Sequence, residues 1–205
     1  GLFQFEIINI KEDSIDEFLK PDNMLRLYAT GAFPMADEKT GSIEWYLPET
    51  RCIIPLDKFN IPRSAKKFDR LNFEIKFDTE TVSVIRGCAD REHTWISEKL
   101  IEAYKKLIKR GHLHSVGVWK DGFLVGGLFG IAFRGAFFGE SMFSKIPQAS
   151  KAALITLLNH LRDNDFVLLD VQYLTEHLKM FGAIEISLEK YKEKLLEASQ
   201  RICTF

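Results

Sequence analysis

The sequence predicts an α/β (α+β) protein, a mixed sheet flanked by helices with a small N-terminal α+β unit before it. Three patterns predict it. Ser97 to Arg110 places Leu100, Ile101, Tyr104, Leu107 and Ile108 on one helical face, and Gly111 follows as a stop. His114 to Trp119 and Phe123 to Phe133 are apolar strand segments joined by Asp121-Gly122, which suits the positive φ angles of a tight hairpin. Ala149 to Arg162 sets Ala153, Leu154, Leu157, Leu158 and Leu161 inward, ahead of a buried-strand run from Phe166 to Val171.

The remaining elements follow in chain order. Asp13 and Ser14 cap a short helix through Leu19, and Pro21-Asp22-Asn23 opens a second through Tyr28. Gly31-Ala32-Phe33-Pro34 breaks it, and Asp37 to Gly41 is turn-like. Ile43 to Tyr46 and Arg51 to Pro55 read as short strands, completing an N-terminal unit over residues 1–62. The second unit, 63–205, starts with a basic helical turn bearing Arg63, Lys66, Lys67 and Arg70. A strand over Asn72 to Phe77 and a helix over Thr79 to Gly87 precede the helix from Ser97. Arg134-Gly135 turns the chain into a third strand, Ala136 to Glu140. Glu176 to Met180 and Leu188 to Ser199 are the last helices. Three antiparallel strands, a helix and another strand resemble the N-acetyltransferase (GNAT) fold in element order, which does not establish chemistry.

Composition narrows the functional classes. The chain has 205 residues, enough for a sizeable core, and its 46% hydrophobic and 28% charged content is ordinary for a soluble globular protein. A net charge of −1 does not announce a nucleic-acid partner, so such a partner would need a local basic patch. Apolar runs stop well short of a membrane span and no secretory leader opens the chain, so a cytoplasmic protein with no membrane partner is expected. Cys52, Cys88 and Cys203 are widely spaced and read as reduced thiols. The 17 Phe point to a large aromatic core or an apolar pocket.

Glu140 lies in Phe138-Gly139-Glu140-Ser141-Met142-Phe143-Ser144, where the third strand emerges. An ionised Glu is rarely buried without a partner. It either accepts backbone N–H bonds in the loop after its strand or holds a cation such as an amine. Asp170 and Gln172, two apart at a strand end, point the same way. They orient an amine nucleophile and an oxyanion, or they cap the following turn. Trp45-Tyr46, Trp95 and Trp119 are base-stacking platforms or core aromatics, and Trp95 lies in a loop before a helix. The basic turn grips phosphates or is a solvated face. His112 and His114 lack companion ligands, so no metal site is expected. No nucleophile elbow or Walker loop appears. The turn Ser144-Lys145-Ile146-Pro147-Gln148-Ala149-Ser150 has no glycine, and Pro147 removes a donor, which argues against coenzyme A.

Ordered stretches along most of the chain resemble the leucyl/phenylalanyl-tRNA–protein transferase family. They include Gly31-Ala32-Phe33-Pro34, Trp45-Tyr46 with Pro48 and Arg51, Gly87-Cys88-Ala89 with Asp90-Arg91-Glu92, and Thr94-Trp95-Ile96. Gly111-His112 with His114-Ser115, Leu124 to Leu128, Gly139 to Ser144, Ala149-Ser150-Lys151, Asp170 with Gln172, and Gly182-Ala183 continue the match. The resemblance implies transfer of Leu or Phe, with Met as a further candidate, from aminoacyl-tRNA to proteins starting with Arg or Lys, marking them for degradation. It implies no cofactor and no metal. It further implies that Asp170 and Gln172 are catalytic, that Glu140 contacts the aminoacyl amine, and that Trp45, Tyr46 and Trp95 stack on the tRNA 3′ adenosine. Leu128, Phe137, Leu154, Leu157, Leu161 and Leu169 would form the amino-acid pocket, and Arg63, Lys66, Lys67 and Arg70 would meet the tRNA backbone. Alanine at Asp170 or Gln172 is expected to cut transfer without unfolding the protein. This chain departs from the family in having Tyr46-Leu47 after Trp45, Phe138 before Gly139-Glu140, and Leu at several pocket positions. Two rivals are an acyl-coenzyme A-dependent N-acyltransferase and a non-catalytic tRNA-binding module.

Overall fold

The computed structural model describes residues 5–7 and 15–205. The expected cap at Asp13 and Ser14 lies outside the described residues. Strands β1 (Phe5–Ile7), β2 (Phe33–Ala36) and β3 (Ile43–Pro48) form a small antiparallel sheet with β3 in the middle. Helix α1 (Pro21–Ala29) precedes β2 and carries Pro at its first position, where no intrahelical N–H bond is lost. The Phe33–Ala36 segment, expected only as a break, is a strand. Pro34 is tolerated because β2 is an edge strand, bonded among the described residues to β3 alone.

The large sheet has seven strands: β4 (Thr50–Ile53), β5 (Glu74–Phe77), β6 (Leu113–Lys120), β7 (Phe123–Phe133), β8 (Ala136–Ser144), β9 (Leu168–Gln172) and β10 (Ile184–Ser187). Their order is β10-β4-β9-β8-β7-β6-β5. Every neighbouring pair is antiparallel except β8 and β9. The antiparallel β6-β7-β8 run leading through a helix into a parallel β9 is the arrangement that the element order predicts. The expected boundary at residue 62 does not follow the sheets: β4 belongs to residues 1–62, yet it is hydrogen-bonded between β10 and β9.

Helices α2 (Thr81–Ala89) and α3 (Glu98–Lys109) cover one face of the sheet, and α4 (Ala149–Asp163) covers the other. Strand alternation divides the core between them. Leu128 and Phe137 pack with the α4 leucines, while Phe129 and Phe138 pack with Ile85, Leu100 and Tyr104. Short helix α5 (Glu176–Lys179) and helix α6 (Leu188–Ser199) complete the chain. The hairpin between β6 and β7 turns as its sequence requires, with φ of 51° at Asp121 and 81° at Gly122.

One local irregularity creates the site. β8 and β9 pair only over Ala136–Phe138 against Leu168–Asp170. Just beyond, Gly139 pairs with Gly130 and Ser141 with Phe129, which leaves Glu140 as an extra, bulged residue. Glu140 therefore sits inside a nine-residue strand rather than in a loop after it. Past the bulge the two strands part, and a cleft opens between them.

Candidate active site

The cleft is a cavity of about 360 Å³, a size that suits one amino-acid side chain with its flanking atoms. Strand β8 contributes Gly139, Glu140, Ser141 and Met142, and β9 contributes Leu169, Val171 and Gln172. Leu128 comes from β7, and Leu154 and Leu157 from α4. Arg91 and Trp95, from the segment before α3, stand with Thr175, His177 and Leu178 around the rest. Four expected pocket residues, Leu128, Leu154, Leu157 and Leu169, thus line one cavity. Phe137 and Leu161 do not: both are fully buried behind it. Phe137 instead stacks on Phe205, with ring centroids 5.4 Å apart.

Glu140 is 6% exposed. The Tyr104 hydroxyl donates to its Oε2 at 2.8 Å, and its Oε1 has no hydrogen-bond partner among the described residues. Burial pushes its pKa up to about 8, against the lowering effect of the Tyr104 and Tyr28 hydroxyls beside it. A neutral carboxyl is therefore the main form near pH 7. Burial, then the Glu140 charge, also drives the pKa of Tyr28 well up.

Asp170 is 1% exposed and does not line the cavity. Its Oδ2 accepts from Arg51 Nη2 and from the Tyr191 hydroxyl at 2.7 Å. Its Oδ1 accepts the backbone N–H of Gln172 at 2.8 Å. Gln172 adopts φ of 65°, a left-handed conformation uncommon for Gln. The strand alternation that would set Asp170 and Gln172 side by side ends there. Asp170 instead holds the strained turn that presents Gln172 to the cavity, which unites the two alternative uses of this pair. Arg51, from β4, is equally buried; its guanidinium lies 4.0 Å from the centroid of the Tyr191 ring, and Nη1 donates to the Gly31 carbonyl.

Gly31 fixes the other side of this cluster. Its φ is 95°, and a Cβ there would stand 2.9 Å from Tyr191 Cε1. Gly31→Ala is expected to destabilise the protein by about 1–3 kcal/mol through backbone strain and displacement of Tyr191. Urea unfolding followed by circular dichroism measures it, and an unchanged midpoint would refute it.

The stacking candidates separate. Trp95 lines the cavity and is half-buried. Its carbonyl accepts from Ala36 N–H at 3.1 Å, so the small sheet holds it in place. Tyr46 is half-buried outside the cavity and donates to Glu44 at 2.9 Å. Trp45 is a correction: it is 1% exposed, packed edge-on against Tyr28, and has no free face for a base. Alternation along β3 forces this, because Tyr46 and Trp45 point to opposite sides. Trp119, too, is buried. Arg63, Lys66, Lys67 and Arg70 lie exposed on a 3₁₀ stretch, Arg63–Leu71. Arg63 and Lys66 line a separate groove of about 590 Å³ beside Ala152, Ile155 and Thr156, on the α4 face opposite Leu154 and Leu157. The turn before α4 satisfies its own donors: Ser150 N–H bonds Ser144 Oγ at 3.2 Å, and Ala149 N–H bonds the Ile146 carbonyl at 3.4 Å. Among the described residues, no group of three or more His, Cys, Asp or Glu could hold a metal, and no helix is long and apolar enough to cross a membrane.

Comparison with known families decides what this cleft belongs to. The leucyl/phenylalanyl-tRNA protein transferase profile matches residues 53–196, and the profile of that family's N-terminal domain matches residues 19–49. The chain belongs to the leucyl/phenylalanyl-tRNA protein transferase family. Relatives bearing that name agree. The one from Paramagnetospirillum magneticum is 48% identical, over 88% of this chain and 89% of its own length. Those from Herpetosiphon aurantiacus and Salinibacter ruber are 46% and 45% identical, over 91% and 88% of this chain and 98% and 80% of their own lengths. The chain is accordingly an aminoacyltransferase. Sequence reasoning overlooked three side chains that build the transferase's buried polar network: Arg51, Tyr104 and Tyr191. The available signal was an Arg inside the otherwise apolar run Arg51-Cys52-Ile53-Ile54. The two tyrosines, on amphipathic helices, are indistinguishable by pattern from core aromatics.

Proposed function

We propose that this transferase moves Leu or Phe, with Met as a further donor, from aminoacyl-tRNA to the N-terminal α-amine of proteins that begin with Arg or Lys. The product would be marked for degradation by the N-degron route, in the cytoplasm. The observation that carries this reading is the leucine-lined cavity with a buried carboxyl and the Gln172 amide on its walls.

In this reading the side chain of the donor amino acid fills the space between Leu128, Leu154, Leu157 and Leu169. Burial sorts side chains at ~0.8 kcal/mol per methylene, which separates Leu from Ala well and from Met or Phe poorly. Glu140 holds the aminoacyl α-amine: it gives up its proton to solvent as the ammonium binds, and the ion pair so formed supplies the partner that its Oε1 lacks. Trp95 stacks on the terminal adenine, with Tyr46 nearby on the small sheet, and the exposed Arg63, Lys66, Lys67 and Arg70 meet tRNA phosphates. The ester that links an amino acid to tRNA is already activated. The enzyme needs only to place an amine beside it and stabilise the oxyanion. Gln172 hydrogen-bonds the incoming amine, and Asp170 acts through Gln172 as a positioning residue. The internally bonded turn before α4 supports a donor other than coenzyme A.

Incubation with radiolabelled Leu-, Phe- and Met-tRNA and peptides starting with Arg, Lys or Ala tests this. Label should pass to the Arg and Lys peptides only, and Gln172→Ala should lower single-turnover transfer by ~10²-fold. No labelled peptide in any combination would sink the proposal. Bound charged tRNA without transfer would favour a binding module, and dependence on acyl-coenzyme A would favour the other rival.

A further inference from the structure

Peptide-bond formation from a protonated amine needs a base, and the groups named so far do not supply one. The acceptor α-amine has an ordinary pKa of ~7.7–8.0, so much of it is an ammonium at pH 7. Both Asp170 oxygens are occupied, by Arg51 and Tyr191 on one side and by the Gln172 N–H on the other. Glu140 is committed to the donor's amine. Gln172 does not titrate. Among the described residues, one imidazole lines the cavity, that of His177.

His177 stands early in α5, whose N-cap Thr175 accepts the Leu178 N–H at 3.1 Å and so fixes the helix start against β9. Its ring is half-buried and packs edge-on to Phe181, with centroids 5.5 Å apart. Its Nε2 is shielded from solvent and has no hydrogen-bond partner among the described residues. A buried nitrogen left unpaired is costly and uncommon in a purely structural role. The titratable and charged groups around it are Lys151 of α4, the paired Glu176 and Lys179 on α5, and Arg91, Glu140 and Tyr173 on other walls of the cavity. Burial, then Lys151, hold its pKa below the usual value, so the imidazole is neutral at pH 7 and able to take a proton.

Resting on the function proposed above, we propose that His177 is the general base that deprotonates the acceptor α-ammonium. One proton passes from the ammonium to the imidazole. The freed amine forms the C–N bond at the ester carbonyl carbon as the C–O bond to the ribose breaks. The nitrogen's second proton ends on the ribose oxygen, and His177 returns its own proton to solvent.

Single-turnover transfer from radiolabelled Leu-tRNA to an Arg-starting peptide, measured across pH 5.5–8.5, tests this. The wild-type rate should plateau above the depressed imidazole pKa. In His177→Gln the rate should fall by ~10²-fold at pH 7 and keep climbing toward the ordinary range of the α-amine. Free imidazole should partly rescue His177→Ala. Wild-type rate and pH profile in His177→Gln would overturn the assignment. If that variant does not fold, absence of imidazole rescue in His177→Ala overturns it instead. Loss of transfer in the wild-type protein itself would count against the proposed function and not against His177 in particular.

Discussion

Replacing Arg51 by Met is expected to cost about 3–5 kcal/mol of stability, the largest effect of any single substitution considered. The reason lies in what stays behind. Asp170 would stay at 1% exposure with only the Tyr191 hydroxyl and one backbone N–H for partners. Removing one member of a buried pair leaves the other's desolvation uncompensated, which costs far more than the pair contributes when intact. The double variant Arg51→Met/Asp170→Asn should recover much of the loss, since no unpaired charge remains. Urea denaturation of the two variants measures both numbers, and a loss below about 1 kcal/mol in Arg51→Met would refute the claim. The same argument revises the expectation that Asp170→Ala leaves folding intact: that change strands Arg51. Gln172→Ala, at the cavity wall, is the cleaner probe of transfer.

Glu140→Gln should have two opposite effects. Donor binding should weaken by ~10–100-fold, because an amide offers the aminoacyl ammonium no countercharge. Stability should rise at alkaline pH. The sign follows from proton counts. Glu140 titrates at about 8 in the folded protein, raised by burial from an ordinary 4.5. Between those pH values the folded state holds one proton more than the unfolded state, so stability falls as pH rises through the window. Gln carries no such penalty, and the variant should be more stable than wild type at pH 8 by a few kcal/mol, with little difference near pH 4. Thermal melts from pH 4 to 9 test it. Parallel curves for the two proteins would show that Glu140 is ionised at neutral pH.

Most of the secondary structure was legible because it rests on local patterns. The α3 face, the Asp121-Gly122 hairpin and the α4 leucines each announce themselves within a window of a few residues. The misses share a cause. β2 looked like a break because Pro34 opposes a central strand, and only the sheet order shows that it lies at an edge. Trp45 looked like a partner of Tyr46 in stacking, but the side of β3 that faces the core is set by α1 and Tyr28. Phe137 and Leu161 have the right chemistry for the pocket wall yet stand one layer behind it.

The sequence by itself determined most of the element order from β3 to β9, the apolar faces, the chemistry available at Glu140, Asp170 and Gln172, and the family. Tertiary structure alone decided what those side chains can do. The bulge at Glu140 and the parting of β8 from β9 depend on pairing between strands far apart in the chain. The Arg51–Asp170 pair joins residues 119 positions apart, so no local window contains it. A carboxylate's role is set by its desolvation and its neighbours, and both are properties of the packed fold: they make Asp170 a buried, fully bonded support and leave Glu140 with an oxygen to offer.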